Sequence, residues 1–306
     1  MAPEAEGTGG APGSPGFEEP DSVWKRLGRR FSDLLVRVVS AVILVLIVLL
    51  LLWWGELPFT LGIAIISVFG INEIFRAFYA RGFRPVAIPS LVAGGSLPIV
   101  AYYFQDRDDG FAWITLVFAV YLPILFLWGL LRKDHRQVAE DLGLSMLGVT
   151  MVGFCLSHFV LMLGLDAEKS WSAPFCVIAL VWVFDAVAYL TGTAFGKRKI
   201  VPSISPGKTW EGTLCATLVT FVAAYLLYAF LDRDWLGLGT AMALAAITCV
   251  LAFLGDLSES LLKRELGIKD MGSLIPGHGG VMDRFDSMLM TAAVSYYFLR
   301  FLVFKI

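Results

Sequence analysis

Apolar runs of about 20 residues, each long enough to cross the hydrocarbon core of a bilayer, recur nine times along the chain. They cover roughly 37–54, 57–79, 86–104, 111–131, 143–165, 173–195, 212–231, 235–255 and 281–304. Inside a membrane only helices and closed barrels satisfy their own backbone groups, and runs of this length predict helices. The fold class expected is therefore all-α: a polytopic membrane protein whose single transmembrane domain fills 37–306. A tight Gly-Glu-Leu-Pro turn joins the first two spans. Glycines in spans three and five favour close helix packing.

What precedes the first span reads differently. Residues 1–21 are rich in Gly, Pro, Ala and Glu with no apolar core, which predicts a disordered tail rather than a secretory signal. Over 22–36, Trp24, Leu27, Phe31 and Leu34 recur at helical spacing opposite Lys25, Arg26, Arg29 and Arg30. This predicts either an amphipathic helix on an anionic membrane surface or a juxtamembrane extension of the first span.

Composition agrees: 58% of residues are hydrophobic and only 16% charged, with mean hydropathy +0.75, against about a quarter charged in soluble domains. The net charge of -2 hides a sorting by position. With the N-terminus inside, 19 of the 24 Lys and Arg fall in inside segments and five outside. The positive-inside rule then puts the N-terminus in the cytoplasm and the C-terminus outside. The long polar connections, about 196–211 and 256–280, are both inside. The four cysteines, Cys155, Cys176, Cys215 and Cys249, lie in apolar stretches without a C-x-x-C pair and read as buried packing thiols.

Chemistry concentrates in three places. After span eight comes GDLSESLLKRELGIKDMGSLIPGHGGVMDRFDS. If the helix continues, Asp256, Ser260 and Lys263 share one face. Asp283 and Asp286 share a face at the start of span nine, beside Arg284, with Arg264, Lys269 and His278 between. Carboxylates among cations suggest a divalent ion held together with a polyanion. Mg²⁺ is usually bound by one or two carboxylates plus substrate phosphates, and Lys and Arg take the remaining phosphate oxygens. The N-terminus of span nine offers N–H donors to an anion. The bland alternative makes Asp283 a helix-dipole partner and Arg284 an interfacial anchor.

The second place is GKRKIVPSISPGKTWEG. It resembles a P-loop, but Pro202 stands where that pattern needs glycine and no strand is expected before it. Ser203, Ser205, Lys208 and Thr209 remain compact donors for phosphates in a flexible loop, with Glu211 pairing with Lys208 or joining a metal shell. The third is Asp185 in span six. An intramembrane carboxylate is by default functional; the alternative is a packing hydrogen bond to Tyr189. In span two, Glu73 is placed to pair with Arg76.

The stretch from Ser260 to Asp286 reads S-L-L-K-R-x4-K-D-x-G-x2-I-P-x-H-G-G-V-x-D-R-F-D. It resembles the pattern of the phosphatidate cytidylyltransferases without departure, and SISPGKTWEG and DAVAYLTGTAFGK are similar to blocks of that family. The resemblance is specific over about 180–286; the N-terminal half matches only as a set of spans. It implies transfer from CTP to phosphatidic acid, giving CDP-diacylglycerol and pyrophosphate at the bacterial inner membrane, with the site facing the cytoplasm. It also implies Mg²⁺ (a second cation being left open), membrane lipid as a partner, a homodimer, and no nucleic acid. Carried over by position, Asp256, Asp283 and Asp286 serve the metal, while Ser205, Lys208, Lys263, Arg264, Lys269 and Arg284 serve phosphates. The nearest alternatives are another CTP-using lipid enzyme with a different acceptor, such as a polyprenol kinase, and a transporter. The absence of an internal repeat and the one-sided clustering of polar residues argue against the transporter.

Overall fold

The computed structural model describes residues 23–105, 110–166, 168–231, 234–274 and 279–305, with side chains from 39 onward except at 110 and 111. The tail at 1–21, the side chains of the basic segment and His278 lie outside the described residues. The chain forms α1 (Val23–Trp54), α2 (Glu56–Ala80), α3 (Ala87–Phe104), α4 (Gly110–Leu131), α5 (Val138–Gly148), α6 (Cys155–Leu161), α7 (Ser172–Phe195), β1 (Lys199–Val201), β2 (Ser205–Thr209), α8 (Trp210–Phe230), α9 (Leu238–Glu265) and α10 (Met282–Phe298). A π-helical segment, Val149–Phe154, joins α5 to α6, and another, Leu299–Phe304, prolongs α10.

Eight of these helical segments are long and apolar enough to cross a membrane, with Val138–Gly164 counted as one; a ninth, Val39–Trp54, is shorter. All nine stand where the hydropathy pattern places spans. The molecule is an all-α integral membrane protein with a small hairpin. The differences lie at the polar ends. α1 is one helix through residues 23–54, with no break at 37. α9 runs to Glu265, about three turns past the apolar limit. The supposed flexible loop after α7 is an antiparallel hairpin, pairing Lys199 with Thr209 and Val201 with Ser205. β-branched Ile200 and Val201 suit the first strand, and the Ile204 N–H closes the turn onto Val201 O at 3.2 Å. Of the four free cysteines only Cys176 is buried, whereas Cys215 lies on the outer surface of α8. An apolar sequence around a cysteine does not distinguish a lipid-facing position from a core one.

Connections assigned by charge to one side touch one another. Arg132 and the Arg84 amide both bond Asp141, at 2.7 and 2.5 Å. Arg81 Nε reaches Leu266 O, and Arg264 Nε reaches Ile204 O at 3.0 Å. Connections assigned to the other side do the same. Gln105 bonds Glu56 at 2.8 Å, and Trp235 Nε1 bonds Asp166 at 3.2 Å while its ring meets Phe304. The contacts thus reproduce the alternation of nine spans.

In a bilayer apolar burial does little to bring helices together, so close van der Waals packing carries more of the association. The backbones of α3 and the Val149–Phe154 segment meet at Gly94 and Gly153, where a Cβ on Gly153 would lie 2.6 Å from Gly94 Cα. α9 meets α10 at Gly255, where a Cβ would lie 2.5 Å from Asp286 O. That second approach sets the site, because the residue after Gly255 is Asp256 and the carbonyl it touches is Asp286.

Candidate active site

The hairpin, the N-terminal ends of α8 and α10 and the polar ends of α7 and α9 enclose a cavity of about 390 Å³. Its acidic lining is Asp185, Asp256, Asp283 and Asp286; its cationic lining is Lys208, Lys263 and Arg284. Ser205, Thr209, Thr213 and Ser287 add hydroxyls. Nine of the candidate site residues named from sequence therefore meet in one space, drawn from three helices and a strand.

Two lysines are held by carboxylates across the cavity. Lys208 Nζ lies 2.5 Å from Asp256 Oδ2. Burial opposes the charge on Lys208, but Asp256 outweighs it and holds the ammonium above its ordinary range. Lys263 Nζ lies 2.8 Å from Asp283 Oδ1 and 3.4 Å from Glu259 Oε1. The α9 face expected from spacing is real: Ser260 Oγ donates to Asp256 Oδ1 at 3.3 Å. Asp283 Oδ2 accepts the N–H groups of Met271 and Gly280, at 2.9 and 2.8 Å. Asp286 Oδ1 accepts the Ser287 N–H at 2.7 Å. Asp185 points into this group, with Ser287 as a side-chain partner, while its Oδ1 is buried without a hydrogen bond.

Several expectations change. Asp185 does not bond Tyr189, which is exposed and lines the cavity mouth. Glu211 neither pairs with Lys208 nor faces the carboxylates; it accepts the amides of Lys197 and Arg198 at 3.1 and 3.2 Å and closes the hairpin base. Thr209 also caps α8, its Oγ1 accepting the Gly212 N–H at 3.2 Å. A strand does precede the Pro-Gly-Lys-Thr stretch, as half of an antiparallel hairpin rather than the parallel strand of a P-loop. Arg264 ties α9 to the hairpin turn and does not line the cavity. Ser203 and Lys269 are exposed outside it, and Ser260 sits behind Asp256. The start of α10 is not a free anion site, because the Gly280, Met282 and Arg284 amides already serve Asp283, Glu73 and Val281 O.

Sequence reading missed Glu259, whose carboxyl group is fully buried behind Lys263 and beside Asp286. The i+4 spacing to Lys263 was the signal available. It also missed Ser287, which follows Asp286 and links it to Asp185.

The profile of the cytidylyltransferase family matches residues 35–302. The chain belongs to this family. Relatives named phosphatidate cytidylyltransferase include one from Bacillus subtilis (strain 168), 30% identical over 87% of this chain and 98% of its own length. Another, from Brucella abortus (strain 2308), is 34% identical over 87% and 93%. A third, from Haemophilus influenzae, is 45% identical over 40% and 42%. The cavity gathers cations and hydroxyls where the membrane helices end in a polar hairpin.

Proposed function

We propose that the chain transfers the cytidylyl group of CTP to phosphatidic acid, giving CDP-diacylglycerol and pyrophosphate. The observation that carries this reading is the polar cavity at the ends of membrane-spanning helices, in a chain whose relatives of that name align over most of its length. One substrate is a lipid and the other a soluble nucleotide, and such a cavity lies within reach of both.

A phosphate oxygen of phosphatidic acid attacks the α-phosphorus of CTP, and the bond to the oxygen bridging the β-phosphorus breaks as pyrophosphate leaves with the electron pair. The nucleophile is already anionic, so little general-base help is needed. The barrier lies in bringing anions together and in the charge of the leaving group, which positioning and fixed cations lower. Lys208 and Lys263 are oriented before substrate arrives, each held by an aspartate, and Arg284 adds a third cation at the rim. Ser205 and Ser287 are placed to orient phosphate oxygens.

Among the described residues no three acidic side chains form a metal cage, so the carboxylates fit Mg²⁺ only as partners of substrate phosphates. The cavity carries more acidic than cationic side chains, and the buried Asp185 Oδ1 lacks a donor. A magnesium ion needs only one or two such ligands beside the phosphates. Asp256 and Asp283 would hold it together with the triphosphate, with Asp286 and Asp185 lining the same cavity. The ion would neutralise charge on the triphosphate and leaving group. A cytoplasmic location for the N-terminus and cavity is supported by the charge sorting; the bacterial inner membrane and the homodimer are carried over from the family resemblance.

Purified protein given labelled CTP, phosphatidic acid and Mg²⁺ is expected to form labelled CDP-diacylglycerol. Labelling only of a polyprenol acceptor would overturn the lipid assignment. Asp283→Asn is expected to lower kcat by about 10²-fold or more, as loss of a key electrostatic group does. Turnover of the folded variant within about threefold of wild type, with an unchanged Mg²⁺ midpoint, would restrict Asp283 to a helix-terminal role.

A further inference from the structure

Glu73 lies on α2, in the half of the chain without motifs, yet its carboxylate is buried against the connection between α9 and α10. The ion pair expected with Arg76 is not formed, and Arg76 is exposed. Glu73 Oε2 instead accepts the N–H of Met282, the first residue of α10, at 2.9 Å. Gly272 and Gly280 press on the same carboxyl: a Cβ on either would fall 2.6 or 2.8 Å from Glu73 Cδ. Eight residues along, Arg81 Nε donates to Leu266 O, the C-cap of α9. Gly267 follows in the left-handed region, at φ +60°, against the Arg81 guanidinium.

Burying a carboxylate is costly unless charge-assisted hydrogen bonds compensate. Here the compensation comes from backbone adjoining the cavity wall, since Met282 precedes the cavity-lining Asp283. Glu73 takes Met282 N–H from one side while Asp283 takes Gly280 N–H from the other. Loss of the Glu73 contact frees Gly280 and Met282 to shift, and Asp283 moves with them relative to Lys263. We propose that Glu73, with Arg81, is a positioning residue for cytidylyl transfer: α2 fixes the end of α9 and the start of α10, and through them the Lys263–Asp283 pair. The catalytic half of this statement rests on the function proposed above; the structural half does not.

The test uses the full-length protein in detergent, with wild type assayed alongside. Glu73→Gln keeps an acceptor oxygen and is expected to hold kcat within about threefold. Glu73→Leu keeps the bulk without the acceptor and is expected to lower kcat about tenfold or more, with the KM for CTP little changed, as small displacements of reacting groups do. Amide exchange in the peptide covering 279–287 should rise about tenfold while peptides of α7 and α8 hold steady. A Leu variant with wild-type kcat, or one whose exchange rises equally in every helix, would overturn the proposal. If the Leu variant does not fold, Arg81→Ala decides. It is expected to speed exchange near 264–272 and lower kcat about threefold, and no change in either sinks the idea. A wild-type protein that makes no CDP-diacylglycerol would refute the function while leaving the exchange result to stand alone.

Discussion

Lys208 reaches the cavity from near the end of β2, where Asp256 grips it and the Phe253 ring lies 5.9 Å from its ammonium. Among the described residues it is the hairpin's contribution of positive charge to the cavity. Lys208→Ala is expected to lower kcat/KM for CTP by about 10²-fold, in the range seen when a preorganised charge is removed. A raised KM with constant kcat would mean that the lysine holds substrate and transition state alike, and a fall in kcat that it acts on the transition state. An unchanged kcat/KM would remove the hairpin from the site. That Lys208 belonged to the site was legible from its compact polar surroundings. Its partner was not, because Asp256 is remote in sequence and only the packing of the hairpin on α9 brings them together. Glu259 went unread, and the spacing of Glu73 suggested only a local pair with Arg76; tertiary structure alone shows that both carboxyl groups are buried.

Among the helices, hydropathy marked each span but not where its polar end stops. α9 continues past its apolar run because Asp256, Glu259, Ser260 and Lys263 find partners along the same helix and across the cavity. The hairpin was invisible because strands of three and five residues, with Pro202 and Pro206 among them, carry little periodicity. On the opposite side, the turn between α6 and α7 is tied to the α8–α9 connection by Asp166. It accepts from Ser172 Oγ at 2.6 Å, the Glu168 and Lys169 amides at 3.2 Å and Trp235 Nε1 at 3.2 Å. Burial pushes its carboxyl upward, but these donors together hold it below the usual carboxylate range. A depressed pKa gives stability that is present above the unfolded value and lost as pH falls through the folded one. Asp166→Ala should therefore be less stable than wild type at pH 7 by about 1–3 kcal/mol, the cost of orphaned buried donors. Thermal unfolding in detergent should show the gap closing below about pH 4, where the wild-type carboxylate also protonates. A gap that persists at low pH would mean that side-chain volume, not charge, does the tying.

For the whole molecule, the same-side contacts constrain topology more tightly than charge counting alone. The hairpin turn, the end of α9 and the α2–α3 turn belong to one side; Glu168 and Trp235 belong to the other. With the four native cysteines replaced, Ser203→Cys should be shielded from an impermeant thiol reagent in intact cells, and Glu168→Cys should label; the opposite pattern would reverse the proposed orientation. One consequence follows from the way the cavity is assembled. Its wall needs α7, the hairpin, α9 and α10, and α10 is the last of these to leave the ribosome. During synthesis Asp185 enters the bilayer on α7 before Asp286 or Ser287 exists. The nascent chain must carry an acidic span through insertion without the neighbours that later surround it, and the cavity is complete only once the final helix seats.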